Sequence, residues 1–247
     1  MNFITPVFSS NELLSTLPPA ELGQLRPLLT RVQLVNGQTL HEAGERIEQV
    51  FFVEQGFVSM VADADGSSLG TEVGLIGREG MVGLPVLLDP QAVSFNRAMV
   101  QMPGVAHRLP AQALRDSAGA LPVLWRLLLQ ALEVSMAQVA QTAACNSQHS
   151  LSQRLARWLL MAHDRVDGDN LPLTQEFVAK MLAVRRAGVA GALASLQTAG
   201  VISQRRGRIL VCDRAGLEAA ACGCYGRVQA FAATVAARNP DPEDLAA

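Results

Sequence analysis

Short apolar runs separated by turn residues fill the first half of the chain, from Val32 to Leu109. Runs of this length, bounded by glycine, proline and acidic residues, predict β-strands. Their regular spacing favours a sandwich or a small barrel, and a jelly-roll fits best. Before them, Glu12–Leu17 and Ala20–Leu29 predict two short amphipathic helices that flank the roll. The predicted strands are Val32–Val35, Val50–Val53, Phe57–Val61, Thr71–Ile76, Met99–Gln101 and Val105–Leu109.

A long apolar helix is predicted next, from about Leu121 to Asn146. Its apolar residues return at spacings of 3, 4, 4, 4 and 3, which trace one stripe along a helix. The stripe has two interpretations: the helix packs against its own roll, or it meets the same helix of a second chain. Both can hold, because a helix has more than one side. The stripe consists of Leu121, Leu124, Leu128, Leu132, Met136 and Val139.

The segment 171–212 carries the most informative local pattern. Thr174 is of a residue type that caps helices, and apolar residues recur at helical spacing from Gln175 onward. A second helix opens at Val184-Arg185-Arg186, just after the small residue Ala183. This pattern predicts a helix-turn-helix, whose second helix presents its N-terminal residues to DNA bases. The alternative is an ordinary helical hairpin with a solvated basic end.

Two short apolar strands follow, around Val201–Ser203 and Ile209–Val211, and a basic segment joins them. Gly207 supplies the backbone freedom that a hairpin turn requires. A hairpin with arginines at its tip, beside a pair of helices, is typical of a winged helix, whose wing contacts the phosphate backbone. The arginines are Arg205, Arg206 and Arg208.

Charge is distributed unevenly along the chain, although the net charge is only −2. Residues 1–149 hold 8 Lys or Arg against 13 Asp or Glu, whereas residues 150–214 hold 10 against 5. The positive charge therefore lies where the winged-helix pattern lies, and this favours double-stranded DNA as the partner.

No catalytic or metal site is evident in the sequence. The four histidines are scattered, without a carboxylate or serine at motif spacing. Cys222-Gly223-Cys224 is expected within a helix, where side chains two residues apart point in nearly opposite directions and cannot bind one ion. We therefore expect no catalytic residue, no metal and reduced thiols. Because no secretory signal and no apolar stretch of membrane-spanning length is apparent, we expect a cytoplasmic protein with no membrane contact.

The order of these elements resembles the Crp/Fnr family of transcription regulators. At the N-terminal end the resemblance rests on the two opening helices, the Gly37 turn, the corner Glu42-Ala43-Gly44-Glu45 and the strand exit Phe52–Gly56. At the other end it rests on the winged helix, so it extends over nearly the whole chain.

The resemblance implies an α+β fold: a cyclic-nucleotide-binding-like jelly-roll at 1–120, a dimerisation helix at 121–146, and a winged helix-turn-helix with a C-terminal helical tail at 147–247. It also implies a homodimer on a palindromic operator, with RNA polymerase as a candidate partner. Two alternatives remain: a ligand-sensing module whose winged helix contacts protein, and a metal-dependent cupin-like enzyme.

The chain departs from the family in the nucleotide pocket, where a Gly-Glu pair binds the ribose and an Arg-Ser or Arg-Ala pair binds the cyclic phosphate. Gly83, Arg97 and Ala98 match, but Leu84 stands in place of the glutamate. Losing that hydrogen bond costs about 1–3 kcal/mol, or roughly 5- to 150-fold in affinity. We therefore expect an unidentified small-molecule effector, if any, rather than cyclic AMP, and no required cofactor. No cysteine precedes Cys145, which excludes the N-terminal iron–sulfur cluster of the oxygen-sensing members.

The recognition helix departs from the family as well. Aligned through Val189, Arg186 keeps a family arginine, whereas Arg185 replaces a small polar residue, Ala187 replaces a glutamate and Gly191 replaces a second arginine. We therefore expect an operator that differs from the family's usual half-site, with guanine contacts from Arg185 or Arg186. The predicted DNA-binding residues are Thr174, Gln175, Arg185, Arg186, Ala187, Arg205, Arg206 and Arg208.

Overall fold

The computed structural model describes residues 8–63 and 70–239, and its fold is α+β. The helices are α1 (Glu12–Ser15), α2 (Pro19–Leu25), α3 (Ala111–Ala120), α4 (Pro122–Gln148), α5 (Leu151–His163), α6 (Gln175–Met181), α7 (Arg186–Thr198), α8 (Arg214–Ala220) and α9 (Cys224–Ala236). The strands are β1 (Thr30–Leu34), β2 (Thr39–His41), β3 (Gln49–Ala62), β4 (Thr71–Ile76), β5 (Met81–Val82), β6 (Arg97–Pro110), β7 (Asn170–Leu171), β8 (Ile202–Arg205) and β9 (Arg208–Val211).

The first half of the chain forms an antiparallel sheet in the order β1-β6-β3-β4, with β2 beside β6 and β5 beside β3. The predicted β-rich roll and its opening helices are confirmed. The division into strands was wrong in one respect: the runs predicted as four strands within 50–61 and 99–109 are parts of two long strands, β3 and β6. These two strands pair along most of their length, and their register shifts three times between Val53 and Val58.

Glycines explain why β3 and β6 bend instead of ending. Gly56 has a φ of 77°, and a Cβ at this position would collide with the Met102 carbonyl oxygen. A Cβ at Gly104 would collide with the Gln55 carbonyl oxygen. Only glycine permits backbones to approach so closely, and a bulge at such a point redirects a strand. Glycine at a turn and glycine at a bend look alike in a sequence, which is why breaks were predicted here.

The long helix α4 has two apolar sides, and the predicted stripe mixes them. Leu124 and Leu128 are fully buried, in a cluster between the roll and its helices. Met136, by contrast, is 66% exposed. A second pattern, with spacings of 4, 3, 4 and 3, lies on the exposed side; we call it the α4 seam. It consists of Trp125, Leu129, Leu132, Met136 and Val139, of which Leu132 is half-buried and the others are exposed.

By length and composition α4 could also cross a bilayer, since an 18-residue window within it has a mean hydropathy of 1.2. The expectation that no segment approaches that length was therefore too strict. One such helix is weak evidence for a membrane span, because long helices in globular proteins meet the same test. In this structure α4 packs on the roll through Leu124 and on α9, where Arg238 forms an ion pair with Glu133 at 2.9 Å.

The C-terminal half shares a hydrophobic core with the roll. This core joins α5, α6, α7 and the β8–β9 hairpin to Phe57, Leu75 and Met102 of the roll. Polar contacts supplement it: Trp158 Nε1 donates to the Glu72 carboxylate at 2.7 Å, and Arg165 pairs with Glu79 at 2.7 Å. We call this contact the roll–α5 interface. It fixes the orientation of the C-terminal helices against the sheet.

Candidate nucleic-acid interface

The helix pair begins with the predicted cap. The Thr174 hydroxyl oxygen accepts a hydrogen bond from the Phe177 backbone N–H at 3.1 Å, and α6 starts at Gln175 as predicted. The turn passes through Ala183, whose φ is 52°, and Arg185 is the extended N-cap of α7. The second helix therefore starts at Arg186, within two residues of the predicted opening. This turn leaves Arg185 and Arg186 exposed at the N-terminus of α7.

The predicted wing is present as the β8–β9 hairpin. Arg205 pairs with Arg208 across the turn, where Gly207 has a φ of 69°. Strand β7 pairs with β9 and makes a small three-stranded sheet, which supports the hairpin at its base. Ile202 and Ile209 are buried against the helix pair, so the apolar residues anchor the wing and the arginines project from it.

A cleft lies between α6, the start of α7 and the wing. Its volume is about 470 Å³. Across it, the Gln175 side-chain amide donates to the Gln204 side-chain oxygen at 2.9 Å. The structure thus brings together six of the eight predicted DNA-binding residues, all but Arg185 and Ala187, with others that sequence patterns missed. The lining residues are Leu173, Thr174, Gln175, Glu176, Arg186, Gln204, Arg205, Arg206, Gly207, Arg208 and Ile209.

Arginines at this cleft differ from arginines elsewhere in how they are paired. Within the described residues, no carboxylate lies within ion-pair distance of the five arginines at the start of α7 and on the wing. In the same structure Arg97 and Arg165 have carboxylate partners at 3.4 and 2.7 Å. The five are also exposed, so their guanidinium groups are available to an anionic ligand; they are Arg185, Arg186, Arg205, Arg206 and Arg208.

The outer face of α7 is otherwise made of small side chains. Ala187, Gly191 and Ala194 are exposed, and a Cβ added at Gly191 would meet no atom within 4 Å. Such a face allows close approach to a groove but offers few hydrogen-bond donors. Gln204 is the main polar residue that the sequence analysis missed. It precedes the wing arginines on β8 and lies on the same face of the strand as the buried Ile202, so strand alternation alone would have placed it in the core.

Two family models match the chain on either side of α4. Residues 31–118 match the cyclic nucleotide-binding domain, and residues 153–220 match the Crp-like helix-turn-helix domain. Together they cover well over half of the chain, in the order of a Crp/Fnr protein. The chain belongs to the Crp/Fnr family. This is a family of DNA-binding transcription regulators, not of enzymes, and the predicted fold class is confirmed.

Solved Crp/Fnr structures share this architecture. FixK2 from Bradyrhizobium japonicum has a TM-score of 0.67 at 16% identity, over 78% of this chain and 98% of that one. The global regulator CLP from Xanthomonas campestris has a TM-score of 0.62 at 15% identity, over 78% and 98%. A CRP-family regulator from Thermus thermophilus has a TM-score of 0.60 at 22% identity, over 79% and 96%. At these identities the likeness concerns the fold. No curated protein matches the chain.

The residues that match the Crp/Fnr nucleotide pocket lie together in the roll, but their surroundings are altered. Gly83 has a φ of 104° and lies beside His41. His41 on β2 is in turn the pairing partner of Ala98 on β6. Ala98 is fully buried in the sheet core. Arg97 pairs with Asp63, and Leu84 is 6% exposed within the cluster between the roll and its helices. The leucine thus fills apolar space, and the arginine has a carboxylate partner.

Three of the four cysteines gather with a histidine, contrary to the sequence-based expectation. Cys222 precedes α9, Gly223 is its N-cap, and Cys224 is its first residue. The two cysteines therefore do not lie two apart within a helix, and both point to the end of α4. There they meet Cys145 and His149. The argument against a shared ion failed because the helix begins two residues later than assumed.

Proposed function

We propose that this chain is a homodimeric, sequence-specific DNA-binding transcription regulator that binds a palindromic operator in the cytoplasm. The observation that carries the proposal is the set of five exposed arginines at the start of α7 and on the wing, four of which line one cleft, none with a carboxylate partner among the described residues. A phosphate backbone supplies the anions that such a set requires.

The five arginines have two roles. Arg185 and Arg186 lie at the start of α7, the position from which a recognition helix contacts base edges, and a guanidinium fits guanine through two hydrogen bonds. The wing arginines extend beyond the helix and contact phosphates, which fixes the register. Thr174 and Gln175 approach the backbone at the start of α6. The Ala187 methyl group suits a thymine methyl.

The exposed α4 seam supports the dimer. Its spacings of 4, 3, 4 and 3 give the 3.5-residue repeat of a two-stranded coiled coil. Trp125, Leu129 and Met136 are between 37% and 66% exposed in the single chain, so a partner is needed to bury them. A second copy, related by a two-fold axis, would place two α7 helices over successive major grooves.

Light scattering on paired variants tests the dimer. The unmodified protein is expected to be a dimer at micromolar concentration, and Leu129→Asp with Met136→Asp is expected to be a folded monomer. Leu128→Asp is the matched control: its site is buried against the roll, so it should lower stability instead of dissociating a folded dimer. A monomeric unmodified protein would refute the proposed assembly.

We also propose that the roll does not use cyclic AMP as its effector. Leu84 cannot accept a hydrogen bond from a ribose hydroxyl, and the Arg97 guanidinium lies 3.4 Å from the Asp63 carboxylate. Calorimetry should show no tight binding of cyclic AMP. Cyclic di-GMP belongs in the same titration, because the Xanthomonas relative is described as responsive to it. Tight cyclic AMP binding that also raises DNA affinity would contradict this part of the proposal.

Selection of bound sequences from randomised duplexes tests the operator. We expect an inverted repeat whose half-sites lie about 10–10.5 bp apart, centre to centre, since two α7 helices must enter the same face of the duplex. The preferred bases should include guanine opposite Arg185 or Arg186. Recovery of unrelated sequences without an enriched motif would count against sequence-specific binding.

A further inference from the structure

Four side chains that bind transition metals meet where α4 ends and α9 begins. Cys145 and His149 come from the end of α4, and Cys222 and Cys224 come from the start of α9. One ligand atom from each residue lies within 4.8 Å of all the others. The Sγ atoms of Cys145 and Cys222 are 3.4 Å apart, and the Cys224 Sγ is 3.6 Å from the His149 Nδ1.

We propose that these four residues hold one Zn²⁺ ion in a tetrahedral site with three sulfur ligands and one nitrogen ligand. Zinc–sulfur bonds of about 2.3 Å and zinc–nitrogen bonds of about 2.0–2.1 Å separate tetrahedral ligand atoms by about 3.8 Å (sulfur to sulfur) and 3.6 Å (sulfur to nitrogen). The Cys224–His149 pair at 3.6 Å matches the sulfur–nitrogen separation, and the Cys145–Cys222 pair at 3.4 Å needs to open by only about 0.4 Å. Tetrahedral sulfur and nitrogen donors are the set that selects zinc.

The surroundings also suit a metal site with thiolate ligands. The three cysteines are buried and form an apolar cluster of their own, and His149 is half-buried. The Gln141 side-chain N–H lies 3.0 Å from the Cys224 Sγ, where it can donate to a thiolate. Buried Arg157 donates to Thr142, one turn before Cys145 on α4. Its charge would balance the single negative charge of a zinc ion with three thiolates and a neutral imidazole.

Two other states of the cluster fit less well. An iron–sulfur cluster is larger than a single ion, so its ligands would have to lie farther apart than these. A disulfide between Cys145 and Cys222 needs an S–S bond of about 2.05 Å, against the 3.4 Å observed. It would also leave Cys224 and His149 together without a role. The arrangement of all four residues points to one ion.

The site would join two elements that are far apart in sequence. Cys145 and Cys222 are 77 residues apart, and the ion would tie α9 to α4 just beyond the α4 seam. The ion pair of Arg238 with Glu133, which also joins this end of the chain to α4, is exposed. Exposed ion pairs contribute little. We therefore expect the metal to add to the apolar packing that attaches α9 to α4, in which Val235 is buried.

Metal analysis of untagged full-length protein, purified without chelator, tests the site. We expect one zinc per chain, and little or none in Cys222→Ser or Cys224→Ser. Cys212→Ser is the matched control, because Cys212 is exposed beyond the wing and should leave the zinc content unchanged. If the serine variants fold poorly, His149→Cys gives a second arm: it keeps four ligands and should keep the zinc. Gln141→Ala should weaken zinc binding by about 10-fold.

Cobalt provides an independent readout. The cobalt-substituted protein should show the visible absorption of tetrahedral thiolate-bound Co²⁺, and His149→Cys should shift these bands. The proposal is overturned if the purified protein holds no stoichiometric zinc and does not take up zinc or cobalt after reduction. It is also overturned if mass spectrometry shows a Cys145–Cys222 disulfide in the protein as isolated, or if zinc content is the same in the cysteine variants.

Discussion

Arginines have opposite environments at the roll–α5 interface and at the winged-helix cleft. At the interface Arg165 is buried: it pairs with Glu79 and donates to the Met161 carbonyl oxygen, both at 2.7 Å. At the cleft Arg186 and Arg206 are exposed and have no carboxylate partner among the described residues. The same residue type thus stabilises the fold in one region and remains available for a ligand in the other. Whether an arginine stabilises the fold or can bind a ligand therefore depends on whether a carboxylate of the protein pairs with it.

This difference predicts that Arg165→Ala impairs folding more than any cleft variant. The substitution removes the donor to the Met161 carbonyl oxygen and the charge partner of Glu79, which keeps only the Gly77 backbone N–H. Since Glu79 is partly exposed, we expect a loss of about 2–3 kcal/mol in the free energy of unfolding. This corresponds to about 5–10 °C in Tm. Arg206→Ala, the matched control, should change Tm little because its side chain is exposed. Equal shifts of Tm in Arg165→Ala and Arg206→Ala would contradict a structural role for Arg165 alone.

The stability that the roll–α5 interface contributes should also depend on pH. Burial raises the pKa of Glu72 to about 7 from a usual value of 4.5, despite hydrogen bonds from Ser59 and Trp158. The folded state therefore binds a proton that the unfolded state releases between these pH values. This stabilisation is complete below about pH 4.5 and is lost as pH rises through 7, at about 1.4 kcal/mol per pH unit.

Glu72→Gln isolates this contribution, because the amide keeps the shape and cannot ionise. Denaturant unfolding between pH 5 and 8 should show a stability loss in the unmodified protein that is absent from the variant. Parallel curves for the two proteins would show that Glu72 does not titrate in this range.

The arginines at the start of α7 and those on the wing should differ in how their loss affects specific and non-specific DNA binding. Arg186→Ala should weaken binding to the preferred duplex by about 1–3 kcal/mol and relax the preference at one base pair. Arg206→Ala should weaken binding to all duplexes alike and reduce the slope of affinity against salt by about one unit. If Arg186→Ala lowers both affinities equally while Arg206→Ala changes the preferred sequence, the two roles are reversed.

The winged helix could be predicted because its determinants are local. Thr174 caps the helix that follows it, and Gly207 permits its turn with little help from distant residues. The sides of α4 could not be assigned in this way. Leucines occur all around its first half, so spacing alone fits either the buried Leu128 or the exposed Leu129. Packing against the roll, which depends on distant residues, decides between them.

The cysteine–histidine cluster was missed for a related reason. Its members are separated by most of the winged helix, and no ligand spacing in the sequence connects them. Only the return of α9 along α4 brings Cys222 and Cys224 to Cys145. In the roll, the resemblance assigns Gly83, Arg97 and Ala98 to a nucleotide pocket, and this assignment stays a prediction. The resemblance could not show that Arg97 lies 3.4 Å from the Asp63 carboxylate.

The central claim is that exposed arginines at the cleft let a dimer bind a specific DNA sequence. Fluorescence anisotropy of the full-length protein tests it most directly, with a duplex from its own upstream region and a scrambled duplex of equal length. We predict that two chains bind each specific duplex, about 10³-fold or more tightly than the scrambled one at physiological salt. Arg185→Ala with Arg186→Ala should abolish most of that difference. Equal affinity of the unmodified protein for both duplexes, or no binding to either, would contradict the account.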